Sequence, residues 1–355
     1  MPLVFDPNFD KQKLMYHPER VAEWLSAGVT SGPLYTELEL SNHCNCRCLF
    51  CGVDHQVNQT GALMGLPLAS KIIEGLAGLG NKSVMICGHG EPLLNLEVLA
   101  IVRLAAARMS VSMTTNGWAL DEAKLPLIDN LEWLRFSVNG CTPENYGKIH
   151  GTSDAAFVRV LANIGAAVAR KRELQLPVTI GTQLVLLPEN QSLVVHLAEQ
   201  LKELGVDYFS VKPYSQHPLS INRRQVDYQD LLWLEQALKP LADERFRVIF
   251  RAAAMRQAGS GKSYERCHGI HFLSFISANG DLWACNVFAG DQRYLLGNGD
   301  REQLRDIWLG ERRQQVLSYI ANDLDLSGCR DLCRMEACNS YLWRLKKPWP
   351  HDNFI

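Results

Sequence analysis

The sequence predicts an α/β protein, a partial (βα)6 barrel followed by a small C-terminal α+β module. Three observations carry this. Six β-rich runs alternate with helix-period stretches as far as residue 214. Polar and glycine-rich motifs gather where those runs end, which is where α/β barrels keep their chemistry. After residue 245 the alternation gives way to hairpin and cysteine-rich sequence. Six units fall short of the eight that close a barrel, so on pattern alone an open barrel and a doubly wound sheet both remain.

"PLYTELEL" (33–40) alternates, which puts Leu34, Thr36, Leu38 and Leu40 on one face. The next five strands are "SVMICG" (83–88), "VSMTTNG" (111–117), "LRFSVNG" (134–140), "VTIGTQLVL" (178–186) and "YFSVKPY" (208–214). Between them a helical period runs over 68–79, 95–107, 121–129, 154–171 and 190–204. Further on, "FRVIFRA" is strand-like. "FLSFISANGDLWACN" (272–286) sets Asn279-Gly280 between two β runs, the pattern of a tight hairpin. A helical stretch covers 301–322. The expected domains are 1–245 and 246–355.

Composition narrows the function. The 355 residues carry a formal net charge of -2, with both signs well mixed. Neither a basic nucleic-acid footprint nor a polybasic membrane patch is present. The opening "MPLVFDPNFDKQ" has acids and prolines where a signal peptide needs a basic start and an apolar run. No segment approaches the ~18 uninterrupted apolar residues of a membrane span. The expectation is a soluble cytoplasmic protein with neither nucleic acid nor membrane as a partner. In that reducing compartment, clustered cysteines suggest metal ligands or catalytic groups rather than disulfides.

The eleven cysteines fall into groups: four at 44–51, Cys87 and Cys141 alone, and Cys267, Cys285, Cys329, Cys333 and Cys338 near the end. Setting Cys46 aside, "CNCRCLFC" reads Cys44-x3-Cys48-x2-Cys51. Three thiolates on one loop hold three irons of a [4Fe–4S] cube and leave the fourth open. A structural zinc closes its tetrahedron with two ligand pairs, and this loop offers no clean second pair. Zinc or a group of reactive thiols is the alternative.

A Cx3Cx2C loop directly after a first strand, with Phe50 before its last cysteine, resembles the radical S-adenosylmethionine (SAM) superfamily. The likeness continues at the following strand ends. "GHGEP" (88–92) is similar to that family's GGEP-type motif, with His89 for the first glycine. The resemblance implies that Gly90 and Glu91 hold the SAM amino group. It places Thr115 and Asn116 of "TTNG", Ser137 and Asn139 of "SVNG", and Gln183 near the carboxylate and ribose, and Phe50 near the adenine. It also implies a [4Fe–4S] cluster bound by Cys44, Cys48, Cys51 and SAM itself, and a flavodoxin- or ferredoxin-type electron donor. The chemistry implied is reductive cleavage of SAM to a 5′-deoxyadenosyl radical, which takes hydrogen from an unactivated carbon.

In the tail, Cys267-x12-Gly280-x4-Cys285 across the hairpin resembles the SPASM/Twitch iron–sulfur extensions of that superfamily. The implied auxiliary [4Fe–4S] cluster takes Cys267, Cys285, Cys329 and Cys333. Cys338 could replace Cys333 or be a buried thiol, and zinc is the alternative occupant.

Three further residues are candidates for the chemistry. Cys141 ends the fourth strand and could return a hydrogen atom to a substrate radical, or simply fill core. Lys212 and His217, in "VKPYSQHP" (211–218), could deprotonate a carbinol radical or be solvated loop residues. Arg251 could bind a substrate anion. Only about 40 residues precede Cys44, which leaves little room there for a peptide-leader domain and turns the expectation to a small molecule: a sugar, aminocyclitol or nucleoside. Dehydrogenation of a carbinol to a ketone leads. Epimerisation with Cys141 as donor, radical diol dehydration, decarboxylation of a sugar acid and peptide modification are the alternatives.

Overall fold

All six expected strands form, in order and parallel, because every connection between them crosses over rather than turning back. The computed structural model describes residues 13–354; the opening "MPLVFDPNFDKQ", read above as no signal peptide, lies outside them. The strands are β1 (Tyr35–Leu38), β2 (Ser83–Ile86), β3 (Ser110–Thr115), β4 (Trp133–Ser137), β5 (Thr179–Leu186) and β6 (Tyr208–Pro213). A seventh, β7 (Arg247–Phe250), pairs parallel with β6. The helices among them are α1 (Pro18–Ala27), α2 (Leu66–Gly78), α3 (Val98–Ala106), α4 (Pro143–His150), α5 (Ala155–Glu173), α6 (Val194–Leu204) and α7 (Leu234–Leu238). The architecture is an open α/β barrel.

The C-terminal segment joins the same sheet. After α8 (Ala252–Gln257), β8 (Leu273–Ile276) pairs parallel with β1. Gly280, at φ +87°, then reverses the chain into antiparallel β9 (Asp281–Trp283), and β10 (Leu295–Asn298) follows. The result is one ten-stranded sheet in the order β10-β9-β8-β1-β2-β3-β4-β5-β6-β7. The sheet runs unbroken across residue 245, where the sequence changes style. Helices α9 (Leu304–Leu309), α10 (Glu311–Asn322) and α11 (Glu336–Lys346) complete the segment.

Two expected helices differ. The stretch 121–129 forms only a 3-10 helix, Leu125–Asn130, because Asp121 first turns the chain by accepting from Lys124 N at 3.0 Å. The stretch 301–322 breaks at Gly310, whose extended backbone (φ -76°, ψ 167°) ends α9 and caps α10. Among the described residues no helix is long and apolar enough to cross a membrane.

Alternation along the strands builds both core and site. Thr36, Leu38, Val84, Ile86, Met113 and Phe136 are fully buried between sheet and helices. The opposite parity (Glu37, Met85, Thr114, Arg135, Gln183 and Lys212, one from each of the first six strands) lines a central cavity.

Candidate active site

The cysteine loop is fastened by its backbone. Cys44 N donates to Asn58 Oδ1 (3.0 Å), and the Arg47 guanidinium donates to the Cys44 and Cys46 carbonyls (2.9 Å each). Arg47 N and Leu49 N donate to the carbonyls of His150 and Ile149 at the end of α4 (2.8 and 2.9 Å). Cys44, Cys48 and Cys51 are half-buried and line the cavity. Cys46, set aside from the motif, is buried and also lines it, 3.5 Å from Asn116 Nδ2.

The loop after β2 lies hard against the cysteine loop. A Cβ at Gly90 would sit 2.2 Å from Ser41 O and 2.4 Å from His43 O, so only glycine fits. Glu91 is buried, and its carboxylate accepts from Thr115 Oγ1 (2.5 Å), Asn116 N (2.7 Å) and Leu93 N (3.0 Å). Burial lifts its pKa against the pull of those three donors. Glu91 is thus a tie between the second and third strand ends as well as a wall of the cavity. Asn139 is a tie of the same kind: its Oδ1 accepts from Val185 N at 2.7 Å. Ser137, Gln183 and Phe50 line the cavity beside it. The residues expected around SAM therefore converge on one space.

His150 was not singled out from sequence. Asn139 N donates to its Nε2 (3.1 Å), so the neutral ring carries its proton on Nδ1, which faces Cys48 Sγ at 3.4 Å. Burial pushes its pKa down to about 3, which keeps the ring neutral. A donor to a cluster thiolate stabilises the more negative, reduced state. His150→Phe is therefore expected to lower the reduction potential of the first cluster, read by anaerobic potentiometric titration with electron paramagnetic resonance. An unchanged potential would show that the contact does not act on the cluster.

Two neighbouring chambers share wall residues, one of about 310 Å³ at the first cysteine loop and one of about 560 Å³ beside it. Arg135, Gln183, Lys212 and Arg330 line both. Lys212 is pushed down to about 7 by burial and then by the Arg330, Arg135 and Arg251 guanidiniums. His217 is pushed down to about 4, chiefly by burial. Its Nδ1 accepts from Leu219 N (3.1 Å), which leaves the proton on Nε2; that atom is buried without a hydrogen-bond partner, although the nearby Val287 backbone favours the protonated ring slightly. His217 thus lines the cavity with that N–H buried beside the Val287 backbone.

Cys141 lies elsewhere. It is fully buried in the apolar core and lines neither chamber, because its strand-end position turns it toward the helices. Cys87, the other cysteine standing alone in the sequence, lines the cavity.

The C-terminal cysteines form a second group. Burial and the neighbouring Cys333 and Cys329 thiols push Cys267 up to about 12. Cys285 is raised well above its ordinary value by burial and by Cys333, Cys267 and Cys329. Asn339 Nδ2 lies 3.5 Å from Cys267 Sγ, and Val287 N donates to Cys285 Sγ at 3.4 Å. Thiols that oppose one another's ionisation suit a cationic iron–sulfur core, which lets all of them ionise. Cys338, on the first turn of α11, packs with Trp24 and Leu342 and is raised by burial and Cys333. Among the described residues no three His, Cys, Asp or Glu side chains are drawn tightly enough to hold a single ion; a four-iron core asks for thiols set around a larger body.

This geometry coincides with two family matches. Residues 38–201 match the radical SAM superfamily, and residues 267–339 match the SPASM iron–sulfur cluster-binding domain. The chain is a radical SAM protein with a C-terminal SPASM domain. These domains imply a SAM-binding [4Fe–4S] cluster and auxiliary iron–sulfur binding, which the two cysteine groups fit.

Among curated relatives, it is 34% identical over 150 residues to a GTP 3′,8-cyclase of Synechococcus elongatus. That match covers 41% of this chain and 44%, under half, of the cyclase. It is 24% identical over 328 residues to a tungsten-containing aldehyde ferredoxin oxidoreductase cofactor-modifying protein of Pyrococcus furiosus, covering 86% of this chain and 88% of that one. Streptococcus suis SuiB, solved with S-adenosylmethionine, shares the fold with a TM-score of 0.67 at 16% identity, over 99% of this chain and 82% of SuiB.

Proposed function

We propose that this radical SAM enzyme dehydrogenates a small molecule of the sugar, aminocyclitol or nucleoside class, turning a carbinol carbon into a ketone. One observation carries the reading: Lys212 lines both the cavity at the first cysteine loop and the neighbouring one that reaches Cys333 and Cys338. Cys44, Cys48 and Cys51 would hold, with SAM, a cluster whose chemistry is the supply of a 5′-deoxyadenosyl radical able to take the carbinol hydrogen, and Cys267, Cys285, Cys329 and Cys333 would hold one able to take up the remaining electron.

The chain's own residues do the rest. Gly90 and Glu91 hold the strand ends that frame SAM. Thr115, Asn116, Ser137, Asn139, Gln183 and Phe50 shape its bed. Lys212 takes the hydroxyl proton. His217 offers its Nε2–H to a substrate oxygen, and its tautomer makes it a donor where Lys212 is the base. The electron for SAM cleavage comes from a flavodoxin- or ferredoxin-type donor.

Two curated relatives are named for small molecules, a nucleotide and a cofactor. Those names accord with a small substrate, whereas SuiB, which shares the fold, has been solved with a precursor peptide. Epimerisation loses its expected donor, since Cys141 stands away from the cavity.

The test uses the anaerobically reconstituted enzyme with SAM, dithionite and a metabolite extract in D2O. A product two hydrogens lighter should rise in step with 5′-deoxyadenosine. A product of unchanged oxidation state carrying one deuterium would instead establish epimerisation.

A further inference from the structure

Three cations meet in the cavity without a counter-charge. Arg135 projects from β4, Lys212 from β6, and Arg251 follows β7. All three line the larger chamber. Lys212 feels the charges of both arginines, and Arg251 feels Arg135. Arg135 makes one side-chain hydrogen bond, to Thr114 Oγ1 (3.1 Å), and its Nε is buried with no partner. Among the described residues no carboxylate pairs with any of the three. Two carboxylates of the lining are engaged elsewhere: Glu37, at the first chamber, by Arg334 and by Asn286 Nδ2 (2.6 Å), and Glu336, at the larger one, by Tyr264 Oη (3.1 Å) and Lys262 (3.8 Å).

A fourth cation, Arg330, differs. It donates to Ser215 Oγ (3.0 Å) and lies beside Cys333, Cys285 and Cys51, which become thiolates only once a cluster binds them. Nothing comparable balances Arg135 and Arg251. Holding guanidiniums together in a half-buried chamber is costly unless an anion joins them. Lys212 can relieve its share by losing its proton, but an arginine cannot.

We propose that Arg135 and Arg251 form an anion site that takes a carboxylate or phosphate group of the substrate. A planar guanidinium matches the paired oxygens of either group, and two of them fix its orientation. The anion then anchors one end of the substrate in the larger chamber and leaves the carbinol beside Lys212, facing the first cysteine loop. This deepens the dehydrogenase reading by naming the substrate class: an anionic sugar, cyclitol or nucleoside derivative rather than a neutral one.

The test needs no turnover. The holoenzyme with SAM is titrated calorimetrically with inorganic phosphate and, separately, with malonate, at constant ionic strength. At least one is expected to bind, and the stronger of the two identifies the group. Arg135→Gln and Arg251→Gln should each weaken that binding at least about tenfold, while iron content and melting temperature show whether each variant is folded and loaded. Absence of binding by either anion, or equal binding by the variants, overturns the proposal. So does a loss of iron content or of folding that accompanies lost binding, because it would assign the arginines to the fold. A failed dehydrogenase reading would show as a product not two hydrogens lighter, and would leave this titration as it stands.

Discussion

Gly90→Ala is expected to cut 5′-deoxyadenosine formation on the order of a hundredfold or more, while the C-terminal iron–sulfur group stays loaded. The added Cβ would meet Ser41 O at 2.2 Å, His43 O at 2.4 Å and Asn42 C at 2.7 Å. All three are backbone atoms, so no side chain can swing aside. The two loops must part, and the motion has two consequences. Glu91 N donates to His43 O at 2.7 Å, so the cysteine loop shifts with it. The Glu91 carboxylate is then drawn from Thr115 and Asn116, which loosens the next strand end as well. Gly78→Ala is the matched control, because a Cβ there meets nothing within 4 Å. Iron analysis and chromatography of 5′-deoxyadenosine on both variants decide the matter. A Gly90→Ala enzyme that cleaves SAM at the parent rate would disprove the tight contact between the loops.

The legible and illegible parts of this protein divide by range. Each of the first six strands is a local run of β-forming residues, and its neighbour in the sheet is its neighbour in sequence, so order and direction could be read directly. β8 could not be so placed. It lies more than 230 residues from β1, with which it pairs residue for residue, and no local pattern encodes that. The site divides likewise. Residues at strand ends were found because motifs mark them. His150 was missed because it arrives from the end of α4, with nothing in "YGKIHG" to announce a sulfur contact. Arg135 was within reach: Ser137 and Asn139 were chosen from "LRFSVNG", and residue 135 shares their parity. Parity also misled. Cys141 was placed at the mouth by extending β4 past Ser137, but the strand has ended and the chain turns toward α4, which Thr142 caps by accepting from Asn145 N at 3.2 Å.

Lys212→Met should separate the two halves of the reaction. 5′-Deoxyadenosine is expected to form as before, while ketone falls by about 10²–10⁴, the usual worth of a positioned base. The pH profile gives the sign. A base must be neutral to act, and an ordinary lysine near 10.4 would be almost wholly charged at neutral pH. Burial, with Arg330, Arg135 and Arg251 beside it, brings Lys212 to about 7. Below that value it is mostly ammonium and cannot accept a proton, so kcat/KM for ketone should climb with pH through about 7 and then level off. Removing one of the repelling charges works in the opposite direction: Arg251→Gln should move the midpoint upward, since the ammonium is then less opposed. A lysine that only packs would leave the midpoint where it was in that variant, and Lys212→Met would leave the ratio of ketone to 5′-deoxyadenosine intact. Loss of the rise in Lys212→Met, together with its upward shift in Arg251→Gln, is a pair of results that a purely structural role does not produce.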